Sequence, residues 1–368
     1  MNDLAKRVGQ LLIIGFDGTE MSASLGSLLT HIQPAGVILF ARNIVSPEQT
    51  YQLLKNCQAC VATPLFTCVD MEGGRVDRLK NAIAPAPSAA EVFASGDRRL
   101  FRKHGRIIGQ SCRAVGFNTD LAPTVDLAFE ASRTVMSSRA VSDDPKQAVV
   151  YAREFLAGLE SAGVIGAAKH FPGLGEANLD THHELPSVIK SFRKLWEEDI
   201  YPYRAMRREL RMVLIGHANY PAVTHDDRPA SLSRKWITEI LRKKIGYRGL
   251  VLSDDLEMGG VLKAAPIERA TVEHIRAGGD LCLICHKEEY VTRSYEELLR
   301  ETNNDRRFAK RVAESAARVA VFKKKSKELK RPGPAPTKGK IEKLSRALWE
   351  FGEQVRLESL AQGAVAGE

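Results

Sequence analysis

No run of about eighteen apolar residues occurs in this chain, so the sequence offers no membrane-spanning helix. The opening MNDLAKRVGQLLIIGF carries only a short apolar stretch and no small-residue cleavage site. It reads as a helix leading into a strand, not as a signal peptide. No glycine-rich dinucleotide fingerprint follows the first apolar run, and no P-loop occurs anywhere. Cysteine is sparse, with six in all. CLICH at 282–286 matches a c-type haem attachment site by letter, but it ends the apolar run GGDLCLIC, which reads as a buried strand. NCQAC at 56–60 lacks a second pair at zinc-ribbon spacing. Reduced thiols in a soluble, cytoplasmic protein are expected, with no cofactor and no bound metal.

An excess of one sign of charge is scarce except in one place. The chain carries a formal net charge of +9, and residues 321–343 hold nine lysines and arginines against two glutamates. No aromatic interleaving or recognition motif accompanies this run, so neither nucleic acid nor a membrane is expected as a partner. Its three prolines mark residues 323–340 as a basic, solvated linker. Beyond it, Ile341, Leu344, Leu348, Phe351 and Val355 recur at helical spacing, which predicts an amphipathic helix and tail over 341–368. Two heptads are few for a coiled-coil dimer, so this helix is expected to dock on its own chain, leaving a monomer.

Residues 1–322 have a different texture. Eight short, nearly continuous apolar runs alternate with helical segments: LLIIGF, AGVILFA, PLFTCV, FNTDLAPTVD, VIGAAKH, MVLIGHA, LVLSD and DLCLIC. Such runs suit parallel strands covered by helices. Ser46, Pro47 and Gln49 supply a helix start with a capping-box pattern. Trp236, Ile237, Ile240, Leu241 and Ile245 share a helical face that Gly246 should terminate. Eight strand–helix alternations predict an α/β fold, a single (β/α)8 TIM-like barrel. Polar residues gather where the strands end: Asp70, Asp126, Lys169, His170, His217 and Asp254. That is the end at which such barrels build their active sites.

Four stretches carry the chemistry. In VDMEGGRVDRL, Asp70 can accept hydrogen bonds from adjacent sugar hydroxyls while Arg75 or Arg78 clamps a further oxygen; a salt-bridged turn is an equal reading. In SSRAVSDDP, Arg139 precedes a plausible helix start and by itself suits the surface. KHFPGLGEANLDTHHELP places Lys169 and His170 at a strand end, where alternation should turn at most one of them into the mouth. In the loop that follows, Asp180 can fix the tautomer of His182, a pair suited to general acid/base work near neutral pH. His170, Asp180, His182 and His183 are also metal-ligand types, but at no standard zinc spacing. In GLVLSDDLEM, Asp254 can attack an anomeric carbon, while Asp255 suits a helix N-cap.

Together, VDMEGGRV, NTDLAPTVDL, KHFPGLGEANLDTHHELP, HANYPAV, PASLS, GYRGLVLSDDLEM and AGGD closely resemble glycoside hydrolase family 3, in family order from about residue 8 to 285. Within that family they are similar to the NagZ-type β-N-acetylglucosaminidases, whose mark is the Asp-x-His loop. The resemblance implies a (β/α)8 barrel that trims terminal β-linked N-acetylglucosamine from peptidoglycan fragments in the cytoplasm. It implies Asp254 as nucleophile, His182 as acid/base and Asp180 as its partner. Asp70, Arg78, Arg139, Lys169 and His170 would hold the sugar, and His183 would have no role. Leu174 stands where the family usually has histidine or aspartate, Ser137–Ser138 replace an Ile/Val-Gly-like pair, and Ala140–Val141 replace Ser-Phe. The basic tail is not a family feature. Other readings stay open on sequence alone: a β-N-acetylglucosaminide phosphorylase or a β-glucosidase of the same family, a metal-dependent barrel hydrolase, and a sugar-binding barrel without catalysis.

Overall fold

Strands form within the eight mostly apolar runs. The computed structural model describes residues 3–177, 185–330 and 333–365. Its parallel strands are β1 (Leu12–Ile14), β2 (Gly36–Ile38), β3 (Phe66–Val69), β4 (Thr119–Asp120), β5 (Ile165–Phe171), β6 (Met212–Ile215), β7 (Leu250–Asp255) and β8 (Leu281–Ile284). Each falls within one of the eight apolar runs, apart from single residues at the ends of β5 and β7. They pair in sequence order and close, with Leu12, Ile13 and Ile14 opposite Cys282, Leu283 and Ile284. The barrel is an eight-stranded (β/α)8 structure, as expected.

Alternation along each strand divides the apolar residues between two cores. Ile13, Phe66, Ile165, Ala167, Met212, Leu214, Leu250, Leu252, Leu281 and Leu283 pack together inside the barrel. Their neighbours Leu12, Ile14, Val37, Val69, Cys282 and Ile284 pack outward against the surrounding helices. The barrel is thus a filled core, closed at its base by Val319 and Leu329, with Phe322 edge-on to Phe66 at a centroid distance of 5.8 Å. All six cysteines are unpaired, and Cys282 and Cys285 are buried in and beside β8, which removes the haem reading of CLICH.

Local signals acted largely as their chemistry dictates. Ser46 accepts the Gln49 N–H at 3.2 Å to start Pro47–Ala59, although the Gln49 side chain reaches back to the Val45 N–H, one residue beyond a capping box. The Trp236 face is buried as its spacing requires, but Lys235–Lys244 is wound wider than an α-helix, with Ile245 N–H donating to Ile240 O five residues back. Gly246 follows at φ +79°, where a side chain would be strained.

The basic segment differs from a uniformly solvated linker. Helix Arg306–Lys325 runs past residue 322, and Lys327–Lys330 forms a further turn. Lys323 is only 5% exposed because its stem packs on the base of the barrel. The last helix, Lys338–Val365, buries Leu348, Phe351 and Val355 against the chain's own helices Ala89–Ala94 and Arg98–Ala114. Its periodicity is satisfied within the chain. None of the helices described is long and apolar enough to cross a membrane.

Candidate active site

At the C-terminal end of β3 the chain turns straight into a small hairpin, Met71–Gly73 against Val76–Asp77. Gly73 and Gly74 adopt φ +83° and +57°, which lets the backbone double back. Asp120, at the end of β4, anchors the hairpin by accepting the Met71 N–H at 2.9 Å. Burial raises the Asp120 pKa well above the ordinary range, with that hydrogen bond opposing.

The hairpin delivers Glu72, and Glu72 organises one side of the mouth. Arg139 donates to it twice, Nε to Oε2 and Nη2 to Oε1, both at 2.8 Å. Lys169 Nζ lies 2.6 Å from Glu72 Oε1 and 2.6 Å from Asp70 Oδ1. Thr124 donates a fourth contact at 3.1 Å. Burial opposes ionisation of Glu72, but Arg139 and Lys169 outweigh it and hold the carboxyl well below its usual range. Lys169 shows the converse, with burial overcome by Asp70 and Glu72 so that its pKa rises. Two carboxylates and two cations are thus gathered in one cluster, with Glu72 kept ionised between Arg139 and Lys169. Such a cluster offers acceptors and donors to neutral hydroxyls.

Lys169 and His170 both face this mouth, contrary to the alternation expected of a strand. The ladder between β5 and β6 shifts register between Ala168 and Phe171, which breaks the alternation at those two positions; the peptide between them is cis. His170 donates from Nδ1 to Asp126 Oδ2 at 2.6 Å, and Asp126 Oδ1 also accepts the Leu174 N–H at 2.7 Å. That leaves His170 Nε2 turned toward Asp254 Oδ2, 4.0 Å away.

Asp254 is the penultimate residue of β7, its side chain 23% exposed. Its Oδ1 accepts the Asp255 N–H at 2.9 Å. Burial would raise its pKa, but His170, His217, the Asp255 N–H and Lys169 together lower it. His217 is fully buried between Ser231 Oγ and the Asp255 carbonyl, each at 2.8 Å. Burial lowers its pKa, with Asp254 opposing, and its Nε2 donates to that carbonyl. Asp255 is not a helix cap. The next helix, Gly259–Ala264, starts after Met258, and Asp255 instead accepts the Glu257 N–H at 3.0 Å and lies 3.1 Å from His286 Nε2.

Asp70, Arg139, Lys169, His170 and Asp254 thus converge on one mouth. Arg78 sits at its edge, its guanidinium 5.9 Å from the Phe40 ring centroid, and its Nε has no hydrogen-bond partner among the described residues. Arg75 is exposed and turned toward the Thr134 carbonyl. Asp180, His182 and His183 lie outside the described residues. Sequence reasoning passed over Glu72, although VDMEGGRV displays it; the signal was a carboxylate set between a strand end and two glycines. It also gave no role to Asp126 or His217 beyond their strand-end placement. Ionisable groups gathered at this end of a barrel mark it as the candidate active site, and a carboxylate kept charged is a group type that can serve as a nucleophile.

A family model described as "Glycosyl hydrolase family 3 N terminal domain" matches residues 3–322. Over 285 residues the chain is 36% identical to a beta-hexosaminidase of Xanthomonas oryzae pv. oryzae, covering 76% of this chain and 84% of that one. A beta-hexosaminidase of Alkalilimnicola ehrlichii is 36% identical over 287 residues, 76% of this chain and 82% of its own. Among solved structures, a glycoside hydrolase family 3 beta-N-acetylglucosaminidase from Paenibacillus sp. superposes with a TM-score of 0.88 at 30% identity, covering 95% of this chain and 69% of that one.

Proposed function

This chain belongs to glycosyl hydrolase family 3, and from that membership we propose that it is a retaining exo-β-N-acetylglucosaminidase, a beta-hexosaminidase like its relatives. The observation that carries the reading is Asp254, held ionised at the end of β7 and 4.0 Å from His170, across the mouth from the Glu72 cluster.

Asp254 attacks the anomeric carbon as the bond to the aglycone oxygen breaks, and His182 gives that oxygen its proton. A covalent glycosyl–enzyme intermediate results. His182, oriented by Asp180, then takes a proton from water, which displaces Asp254 and releases the sugar. Asp70, Arg78, Arg139, Lys169 and His170 hold the N-acetylglucosamine ring. A terminal sugar fits a mouth whose floor is the filled barrel core.

The finer reading is release of N-acetylglucosamine from peptidoglycan fragments in the cytoplasm by a single barrel domain, residues 1–322. It draws on the K-H-F-P-G-x-G and Asp-x-His pattern and on six unpaired cysteines that suit a reducing compartment.

A panel of chromogenic β-glycosides, assayed with and without phosphate and followed by NMR of the first-formed anomer, tests the reading. The expected result is preference for the N-acetyl-β-glucosaminide, release of the β-anomer first, and no sugar phosphate. An α-anomer formed first would exclude the double displacement, and a glycosyl phosphate product would make the enzyme a phosphorylase.

A further inference from the structure

The hairpin that presents Glu72 is supported from behind by elements remote in sequence. A Cβ built on Gly73 would lie 2.1 Å from the Pro87 carbonyl oxygen and 3.2 Å from His104 Nε2, so the hairpin backbone rests against both. Its second strand is tied to the same segment, because Asp77 accepts the Ala86 N–H and Ala86 O accepts the Gly74 N–H, both at 2.9 Å.

His104, on helix Arg98–Ala114, is fully buried with Nδ1 2.8 Å from the Tyr151 hydroxyl. Burial pushes its pKa down to about 3, with the Pro87 carbonyl opposing, so the ring packs as a neutral aromatic. On one side it meets Phe155 edge-on at 5.3 Å. On another it meets Phe351 of the last helix at 5.9 Å, the planes inclined by 31°. Phe351 is itself fully buried, and Lys103 lies over its ring at 5.2 Å while donating to Gln354 at 2.7 Å. Six residues earlier on that helix, Ser345 donates to the Ile83 carbonyl at 2.9 Å, in the segment that follows the hairpin.

We propose that helix Lys338–Val365 is a positioning element of the active site: Phe351, acting through His104, sets the hairpin so that Glu72 meets Lys169 and Arg139. The helix lies wholly outside residues 3–322, so nothing in the family's own pattern assigns it this part. The inference rests on the reading above that the Glu72 cluster holds the sugar. Removing the Phe351 ring opens space behind His104, and the hairpin has freedom to recede from the mouth. The consequence is weaker sugar binding, because the nucleophile on β7 is held by a separate set of contacts.

The test uses full-length Phe351→Ala, Phe351→Leu and, on the same buried face, Leu348→Ala. Each is measured for Tm, for kcat and KM on 4-nitrophenyl N-acetyl-β-glucosaminide, and for inhibition by N-acetylglucosamine. Phe351→Ala should raise KM and the inhibition constant roughly tenfold, equivalent to about 1.4 kcal/mol, with kcat within about twofold. Phe351→Leu, the safer variant for folding, should move both in the same direction by less. Leu348→Ala should lower Tm and leave KM unchanged. An unchanged KM in folded Phe351→Leu and Phe351→Ala, or an equal rise in Leu348→Ala, would overturn the proposal. Arg139→Ala separates the two readings. If it leaves KM unchanged, the sugar-binding assignment has failed; if it raises KM while the Phe351 variants do not, the helix inference alone has failed.

Discussion

Arg139 grips Glu72 through two parallel hydrogen bonds of 2.8 Å, in a pair whose carboxylate side chain is 4% exposed and whose guanidinium is 15% exposed. The fork geometry is specific to arginine, and a lysine there would lose one of the two bonds. Glu72 also meets Lys169, whose Nζ lies 2.6 Å away.

Glu72→Ala should therefore be costly in two ways. It leaves two buried cations facing each other without the carboxylate between them, a change that typically destabilises by about 3–5 kcal/mol. It should also raise KM, since Arg139 and Lys169 lose their fixed positions. Denaturation curves and steady-state kinetics on the same preparation check both effects. Wild-type stability with unchanged KM would show that the cluster is decorative.

For the nucleophile, Asp254→Ala should keep its fold and lose turnover by several orders of magnitude, because covalent catalysis then lacks its attacking carboxylate. Asp255→Asn should be far milder: its N–H still donates to Asp254 and its carbonyl still receives His217. A dead Asp255 variant beside an active Asp254 variant would reverse the assignment. The pH dependence has a definite sign. With its pKa lowered in the folded chain, Asp254 stays ionised through the ordinary carboxylate range, near 3.9. The stability it contributes is present above that value and is lost as pH falls through the lowered one. The acid limb of kcat/KM due to Asp254 should accordingly lie below about pH 3.9.

The barrel was legible because its strands are buried on both faces, so they appear as apolar runs that no helix period explains. The strand-end rule then located the mouth. The organisation of the mouth was much less legible. Glu72 finds Arg139 67 residues away, and Asp70 finds Lys169 99 residues away, and no local pattern encodes either pairing. The double presentation of Lys169 and His170 depends on a register shift against β6, which is a property of the neighbouring strand. Lys323 reads as a solvated charge in a run of lysines, yet the end of its helix carries it under the barrel.

Lys323 gives a stability prediction with a pH window. Its Nζ donates to Gln10 Oε1 at 2.8 Å and lies 5.2 Å from the Phe66 ring centroid. Burial pushes its pKa down to about 7, with Cys68 opposing. The unfolded chain keeps that proton up to about pH 10.4. Between those two values the unfolded state binds more protons, so raising the pH stabilises the fold. Lys323→Met should be more stable than wild type below pH 7, with the gap narrowing toward pH 10; Thr63 still donates to Gln10 Oε1, so that acceptor keeps a partner. Urea denaturation at several pH values measures the gap, and a gap independent of pH would refute the buried-charge account.

The acid/base role of His182 is the most discriminating prediction. In a double displacement this group acts twice, protonating the leaving oxygen and then deprotonating the incoming water. The two duties respond differently to its loss. An aryl glycoside with an acidic phenol barely needs a proton to depart, so its first step should survive His182→Ala comparatively well. A sugar aglycone leaves as a poor alkoxide and should lose most of the roughly 10²–10⁴-fold that general acid catalysis supplies. Asp180→Ala should show a weaker form of the same pattern, since it orients and polarises the imidazole without moving the proton itself. Water attack slows as well, and azide, which needs no base, should then displace Asp254 from the intermediate and leave as a β-glycosyl azide. The measurement is kcat/KM against leaving-group pKa for wild type and His182→Ala, with azide added in parallel. If the variant's dependence is no steeper than the wild type's and azide has no effect, the proton donor lies elsewhere, and the segment 178–184 has a purpose other than catalysis.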